Sequence, residues 1–210
     1  TAYEIYQCDW SSDVCSSDLS TGTPQEMAEL TQRAYTIIKS IVPKALVVAP
    51  STGTRLGGPF KKFYPQYLAE LKIRNWPVDV FAAHTYPASL GTPVDRAYLA
   101  KVWQSYLKAA GVPDLPLWDT ENNFGLAGPG AANPDQDING TQAADWTART
   151  YLDALRLGIS RVYWYSWGPD LDLVGIQMHE GTPAAAAYQT LQDWIVGARS
   201  EEHTSELQSH

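Results

Sequence analysis

The chain has 210 residues, with 15 Lys and Arg against 23 Asp and Glu, a formal charge of −8 and 11% aromatic residues. That balance gives no electrostatic reason to expect a nucleic-acid partner. No apolar run reaches the length a bilayer requires, so no membrane span is expected.

The first stretch that stands out is CDWSSDVCSSDL, which holds both cysteines, Cys8 and Cys15, beside Asp9, Asp13 and Asp18. Thiolates and carboxylates are what divalent cations recruit, so the stretch invites a metal or disulfide reading. The other end of the chain argues against it. Written back as DNA, Thr204 to Ser209 (acg tct gaa ctc cag tca) followed by the c of the His210 codon has a reverse complement that, after one added t, begins tgt gac tgg agt tca gac. Those codons encode Cys8 to Asp13. Two unrelated protein segments have no reason to be reverse complements. Both ends resemble translations of a common short-read sequencing adapter, and residues 1–19 and 199–210 are expected to be non-native. Seven of the acidic residues (Glu4, Asp9, Asp13, Asp18, Glu201, Glu202, Glu206) and one basic residue (Arg199) lie in those ends, leaving 16 against 14 and a balance of −2 between Ser20 and Ala198. No cysteine remains there, so no disulfide framework is expected.

From Ser20 onward helices and strands alternate. TGTPQEMAELTQRAYTIIKSIV places Thr23 as a cap, Pro24 at the first helical position and Glu26 to complete a capping box. Met27, Leu30, Ala34, Ile37, Ile38 and Ile41 then recur at helical spacing. After Pro43, ALVVAP reads as a short buried strand. The loop STGTRLGGP leads to a helix around FYPQYLAELKIRN, broken at Trp76-Pro77. VDVFAAHTYP predicts a strand from about Val78 to His84. Thr92, Pro93 and Asp95 then start a capped helix carrying Ala97, Val102, Trp103, Tyr106 and Leu107, ended by Gly111. LPLWDTENN is a strand from about Leu115, and a loop rich in Gly, Pro and Asn runs to about Gly140 before the helix AADWTARTYLDALRLG. RVYWYSWG is the last strand, and Thr182-Pro183 opens a final helix through Tyr188, Leu191, Trp194 and Ile195.

Four strands each precede a helix with no hairpin signal between them, so the sheet is predicted parallel. An open doubly wound sheet and a (β/α)8 barrel both accept that order. No Gly-rich phosphate fingerprint follows any strand. Polar and aromatic residues gather instead at the strand ends: Ser51, His84 with Tyr86, Glu121 with Asn122, and Trp167. That is where a barrel puts its active site, and a complete barrel needs about 250 residues. The 179 residues from Ser20 to Ala198 therefore predict an α/β fold that is the C-terminal half of a (β/α)8 TIM barrel, truncated to about four βα units.

HTYP at one strand end, WDTENN at the next and YWYSWG at the last, in that order, resemble the C-terminal half of the retaining glycoside hydrolases of clan A, closest to the family 39-like members. GTPQEMAELTQRAYTIIKSIVPKALVVAPS is similar to the segment after their fourth strand. The resemblance implies an oligo- or polysaccharide substrate, no cofactor and double displacement with Glu121 as nucleophile. It also implies that His84 and Tyr86 hydrogen-bond the nucleophile or the sugar, that Asn122 helps bind substrate, and that Trp167 is a stacking floor for the sugar ring. The chemistry requires two carboxyl groups about 5–5.5 Å apart. The resemblance puts the second, the acid/base, in an Asn-Glu pair shortly before Ser20, where the adapter-like stretch now stands. Glu26, Glu29 and Glu70 cannot substitute, because helical periodicity puts them on outer faces, so the chain is expected to be inactive while its parent is a glycoside hydrolase.

The alternative from another class is a carbohydrate-binding barrel without turnover, lacking the upstream glutamate. No metal site is expected, since His84 and His179 are the histidines of the interior. Asp119, two residues before Glu121, could share its face but is assigned a structural role, and Trp118 and Trp164 are assigned to the core. In GPDLDLVGIQMHEGTP, Asp170, Asp172 and Glu180 could shape a subsite, although a solvated turn is the expectation. No feature sets an oligomeric state.

Overall fold

The structure is a computed structural model that describes residues 4–5, 22–128, 131–169 and 174–198. The adapter-like ends, apart from the backbone of residues 4–5, and Asp170 and Asp172 lie outside the described residues. The elements in order are β1 (Glu4–Ile5), α1 (Pro24–Ile41), β2 (Leu46–Val47), β3 (Thr52–Gly53), α2 (Gly57–Ile73), β4 (Phe81–His84), α3 (Pro93–Ala110), β5 (Leu117–Asn122), α4 (Gly140–Arg156), β6 (Ile159–Trp164) and α5 (Pro183–Ile195).

The sheet runs β3-β4-β5-β6 with every pairing parallel, and β1 pairs in parallel with β2. Within the four-stranded sheet, chain neighbours are sheet neighbours. Right-handed crossovers between adjacent parallel strands put every helix on the same face, whereas a doubly wound sheet reverses its order and uses both faces. The fold is therefore a sector of a parallel α/β barrel. The helices form a single outer layer in which α1 packs on α2, α2 on α3, α3 on α4 and α4 on α5.

The strand expected at ALVVAP is broken in two. Val48 forms an isolated bridge to Val80, and Pro50, which has no N–H to donate, precedes the resumption at Thr52. The second helix starts earlier than expected, at Gly57, and runs through Pro65. Pro59 lies in its first turn, where the missing N–H has no intrahelical acceptor in any case. Its end is held by Asn75 and Trp76 in the left-handed region, φ 57° and 54°. For a tryptophan that costs about 1–2 kcal/mol, offset by burial of the indole against Phe81, ring centroids 5.9 Å apart.

Two apolar clusters separate the faces of the sheet. Phe81 and Ala83 of β4 pack outward with Phe60, Tyr64, Leu68 and Leu71 of α2 and Trp103 and Leu107 of α3. Val48, Val80, Ala82 and Trp118 form the opposite, inner cluster with Leu46 and Tyr163. Trp118 is core, as expected, and Arg161 lies 4.3 Å over its ring.

Both expected capping boxes form, at Thr23 with Glu26 and at Thr92 with Asp95. The backbone N–H and hydroxyl of each threonine hold the partner carboxyl below its ordinary range. A folded pKa below the unfolded one means that this stabilisation is present at neutral pH and fades as the pH falls through the carboxylate range. Glu26→Gln and Asp95→Asn should therefore each flatten the acid side of a plot of urea midpoint against pH, with little change between those variants and the parent at the acid extreme.

The loops after β5 and β6 are knitted together. Gly175 N–H donates to the Phe124 carbonyl at 2.9 Å, and Ile138 N–H donates to the Gly175 carbonyl at 2.9 Å. A Cβ on Gly175 would lie 2.6 Å from the Gln136 carbonyl oxygen, and one on Gly125 would lie 2.8 Å from Gly175 Cα. Gly175→Ala is expected to cost about 1–3 kcal/mol through overpacking, read as a lowered urea midpoint.

Candidate active site

Because all four strands of the main sheet run the same way, their C-terminal ends share one edge, and the predicted residues gather there. His84 ends β4, and Tyr86 follows two residues later on the same side, as the extended period requires. Glu121 stands opposite His84 in the ladder. The Tyr86 hydroxyl donates to Glu121 Oε1 at 2.6 Å, and His84 Nδ1 lies 3.6 Å from Oε2. Glu121 and His84 are each 6% exposed and Tyr86 1%. The Tyr86 ring packs under Leu126 and Val174, with Tyr165 against the cluster. A short hydrogen bond from a neutral phenol to a carboxylate is charge-assisted and directional. The site thus presents a buried carboxylate with one oxygen held by a phenol and the other facing an imidazole nitrogen at 3.6 Å.

Strict alternation would not have produced this arrangement. Trp118 faces inward, so period two would send Asp119 and Glu121 together toward the helices. The ladder slips by one residue: Ala83 pairs with Asp119 and His84 with Glu121, leaving Thr120 as the extra residue of a bulge. Thr120 Oγ1 lies 2.5 Å from Ser51 Oγ. Asp119 stays on the helix side, so it does not share the face of Glu121. It accepts from Arg96 Nη2 at 2.5 Å and from both the backbone N–H (3.2 Å) and the hydroxyl of Thr85. The expected structural role of Asp119 is what this geometry gives it. Beside this pair, burial pushes the Tyr151 phenol up, with Tyr188 and Asp119 adding to the rise and Arg96 opposing it.

The other predicted residues lie apart from this cluster. Asn122 is fully buried, and its amide donates to the Tyr163 carbonyl at 3.0 Å, linking β5 to β6. Trp167 is 63% exposed beyond the end of β6, in isolated bridge pairing with Met178. Trp164 packs against the cluster of Phe124, Ile176 and Met178. Glu180 is in a turn, where its carbonyl lies 3.0 Å from His179 Nδ1. Among the described residues no group of three or more His, Cys, Asp or Glu can hold a metal, and no helix is long and apolar enough to cross a membrane.

Sequence reasoning missed Arg96 and Asn123. Arg96 is in phase with Ala100, Trp103 and Leu107, a charged residue inside an apolar stripe, and such a position demands a buried partner. Asn123 donates to the carbonyls of Tyr165 (2.6 Å) and Ile176 (3.0 Å) and so ties the loop after β6 to the end of β5. Nothing in the NN pair distinguishes that role from a solvated turn.

No family model matches the chain, and no curated protein matches it. Solved structures do. A monomeric beta-xylosidase from Caulobacter crescentus CB15 is similar at TM-score 0.59 and 20% identity, over 80% of this chain and 37% of that one. A GH39 enzyme from Xanthomonas axonopodis pv. citri is similar at 0.59 and 21%, over 80% and 36%. A glucosidase from Croceicoccus marinus is similar at 0.59 and 18%, over 81% and 37%. The chain thus spans little more than a third of the length of each of these structures, and at such identities what it shares with them is the fold: a sector of a (β/α)8 barrel.

Proposed function

We propose that the chain is part of a retaining glycoside hydrolase in which Glu121 is the nucleophile. The observation that carries this reading is the Tyr86 hydroxyl on Glu121 at 2.6 Å, at the C-terminal edge of a barrel sector whose structural neighbours carry beta-xylosidase and glucosidase names. Attack on an anomeric carbon needs an ionised carboxylate held still. The phenol orients one oxygen and His84 stands beside the other, so the carboxylate is fixed in position before a sugar arrives.

In this reading Glu121 forms a bond to the anomeric carbon as the bond to the leaving oxygen breaks. A second carboxyl group protonates that oxygen, then takes a proton from the water that releases the sugar. Asp119 is committed to Arg96 and Thr85 and cannot be that second group. The acid/base is assigned instead to an Asn-Glu pair ahead of Ser20 in the parent gene, displaced here by adapter-derived sequence over residues 1–19, with 199–210 of the same origin. Trp167 offers an exposed aromatic face to a pyranose. Asn122 serves the site through β6.

Reading the source DNA upstream of the Ser20 codon from an independent, adapter-trimmed library tests the two-carboxylate reading. A strand ending in Asn-Glu is expected. A natural sequence without a carboxylate there, or one that continues as CDWSSDVCSSDL, contradicts it.

A further inference from the structure

Three consecutive residues after the centre of β4 reach two carboxylates of β5. His84 and Tyr86 meet Glu121 on the inner side, while Thr85 between them turns the other way and gives both its donors to Asp119, the N–H to Oδ1 and the hydroxyl to Oδ2. Asp119 Oδ2 also accepts from Arg96, whose Nη1 donates to the Thr150 carbonyl of α4 at 3.2 Å. Thr85, Asp119 and Thr150 are fully buried and Arg96 is 1% exposed. Both carboxylate oxygens are engaged, so Asp119 cannot rotate without losing a bond. Stability alone is a weak reason for such an ion pair, since packed apolar residues of like volume commonly do as well.

We infer that Asp119, braced by Arg96, is a positioning residue for Glu121: its two-point grip on Thr85 fixes the segment that carries Tyr86 across the bulge at Thr120. Beyond the bulge His84 with Glu121 is the last ladder pair between β4 and β5, and the Asp119–Thr85 contacts fix the residue that follows it. A hydrogen bond of 2.6 Å between Tyr86 and Glu121 leaves little tolerance, because catalytic groups function within about 0.5 Å of their productive geometry. The catalytic importance of the grip rests on the glycosidase reading of Glu121. The geometry it enforces does not.

The test is the hydroxyl proton of Tyr86 in the NMR spectrum of the 210-residue chain, a slowly exchanging downfield signal assigned by its loss in Tyr86→Phe. Thr85→Val, which removes the hydroxyl donor but keeps the shape, and Asp119→Asn are expected to abolish the signal, while Thr85→Ser restores it; apart from the signals of residue 85 itself, the methyl fingerprint stays unchanged in all three. A merely structural clamp would lower the melting temperature of Thr85→Val and leave the signal in place. Persistence of the signal in folded Thr85→Val or folded Asp119→Asn overturns the inference, as does its absence from the parent chain. If Asp119→Asn does not fold, Thr85→Val decides alone. Failure of the glycosidase reading shows separately, as the absence of glycosyl labelling at Glu121 in the protein of the intact gene.

Discussion

Arg96→Met is expected to destabilise the fold by about 3–5 kcal/mol, because it strands the Asp119 carboxylate in the interior without its cation. The two side chains are 1% and 0% exposed, so water cannot replace the guanidinium. The hydroxyl and N–H of Thr85 remain as donors, but they carry no charge. For a chain of this size each kcal/mol moves the thermal midpoint by about 2–4 °C. The double variant Arg96→Met with Asp119→Leu should recover much of the loss, since removing both charges also removes the desolvation penalty. A single variant with a wild-type urea midpoint would show that Asp119 is not the buried, paired group described above.

Trp103→Ala is expected to cost a similar amount, about 3–5 kcal/mol, by opening a cavity where α2, α3 and the sheet meet. The indole is completely buried, and its Nε1–H donates to the Tyr64 hydroxyl at 2.7 Å. Tyr64 stacks on Phe60 with ring centroids 5.0 Å apart, and burial pushes its phenol far up. Trp103→Phe separates the contributions. It keeps most of the apolar volume and withdraws one donor from a buried oxygen, so it should lose about 1–3 kcal/mol. Urea titrations of the two variants, read on the same slope, check the order.

Both of these groups lie on α3, and they show where the sequence was readable. Thr92, Pro93 and Asp95 announce the start of α3 because a cap is local chemistry, and Gly111 closes it with φ 68°. The same holds for Thr23 with Glu26 and for Thr182, whose hydroxyl accepts from Ala185 N–H. The parallel sheet followed from the absence of hairpin turns. The placing of His84 and Tyr86 on one side followed from the period of two. What could not be read depends on partners distant in the chain. No residue of LWDTENN signals the bulge, yet the bulge is what turns Glu121 toward Tyr86 and leaves Asp119 with Arg96. Asn122 and Asn123 are equivalent as letters, and only packing against β6 and its following loop shows that both are buried ties. The break between Val47 and Thr52 is of the same kind, set by which strand the backbone meets.

Taken together, the bulge, the grip on Thr85 and the phenol on Glu121 describe a carboxylate fixed in place at the mouth of a barrel sector. The direct test of its role is covalent trapping in the protein encoded by the intact gene, using 2-deoxy-2-fluoro glycosides with a dinitrophenolate leaving group. Such donors need no acid catalyst and accumulate the glycosyl-enzyme. With pentosyl and hexosyl donors tried in turn, the account predicts one glycosyl unit on the peptide containing Glu121, with none in Glu121→Gln. A protein that hydrolyses glycosides while its adduct sits on another carboxylate, or one that is folded and takes no adduct from either donor, contradicts it.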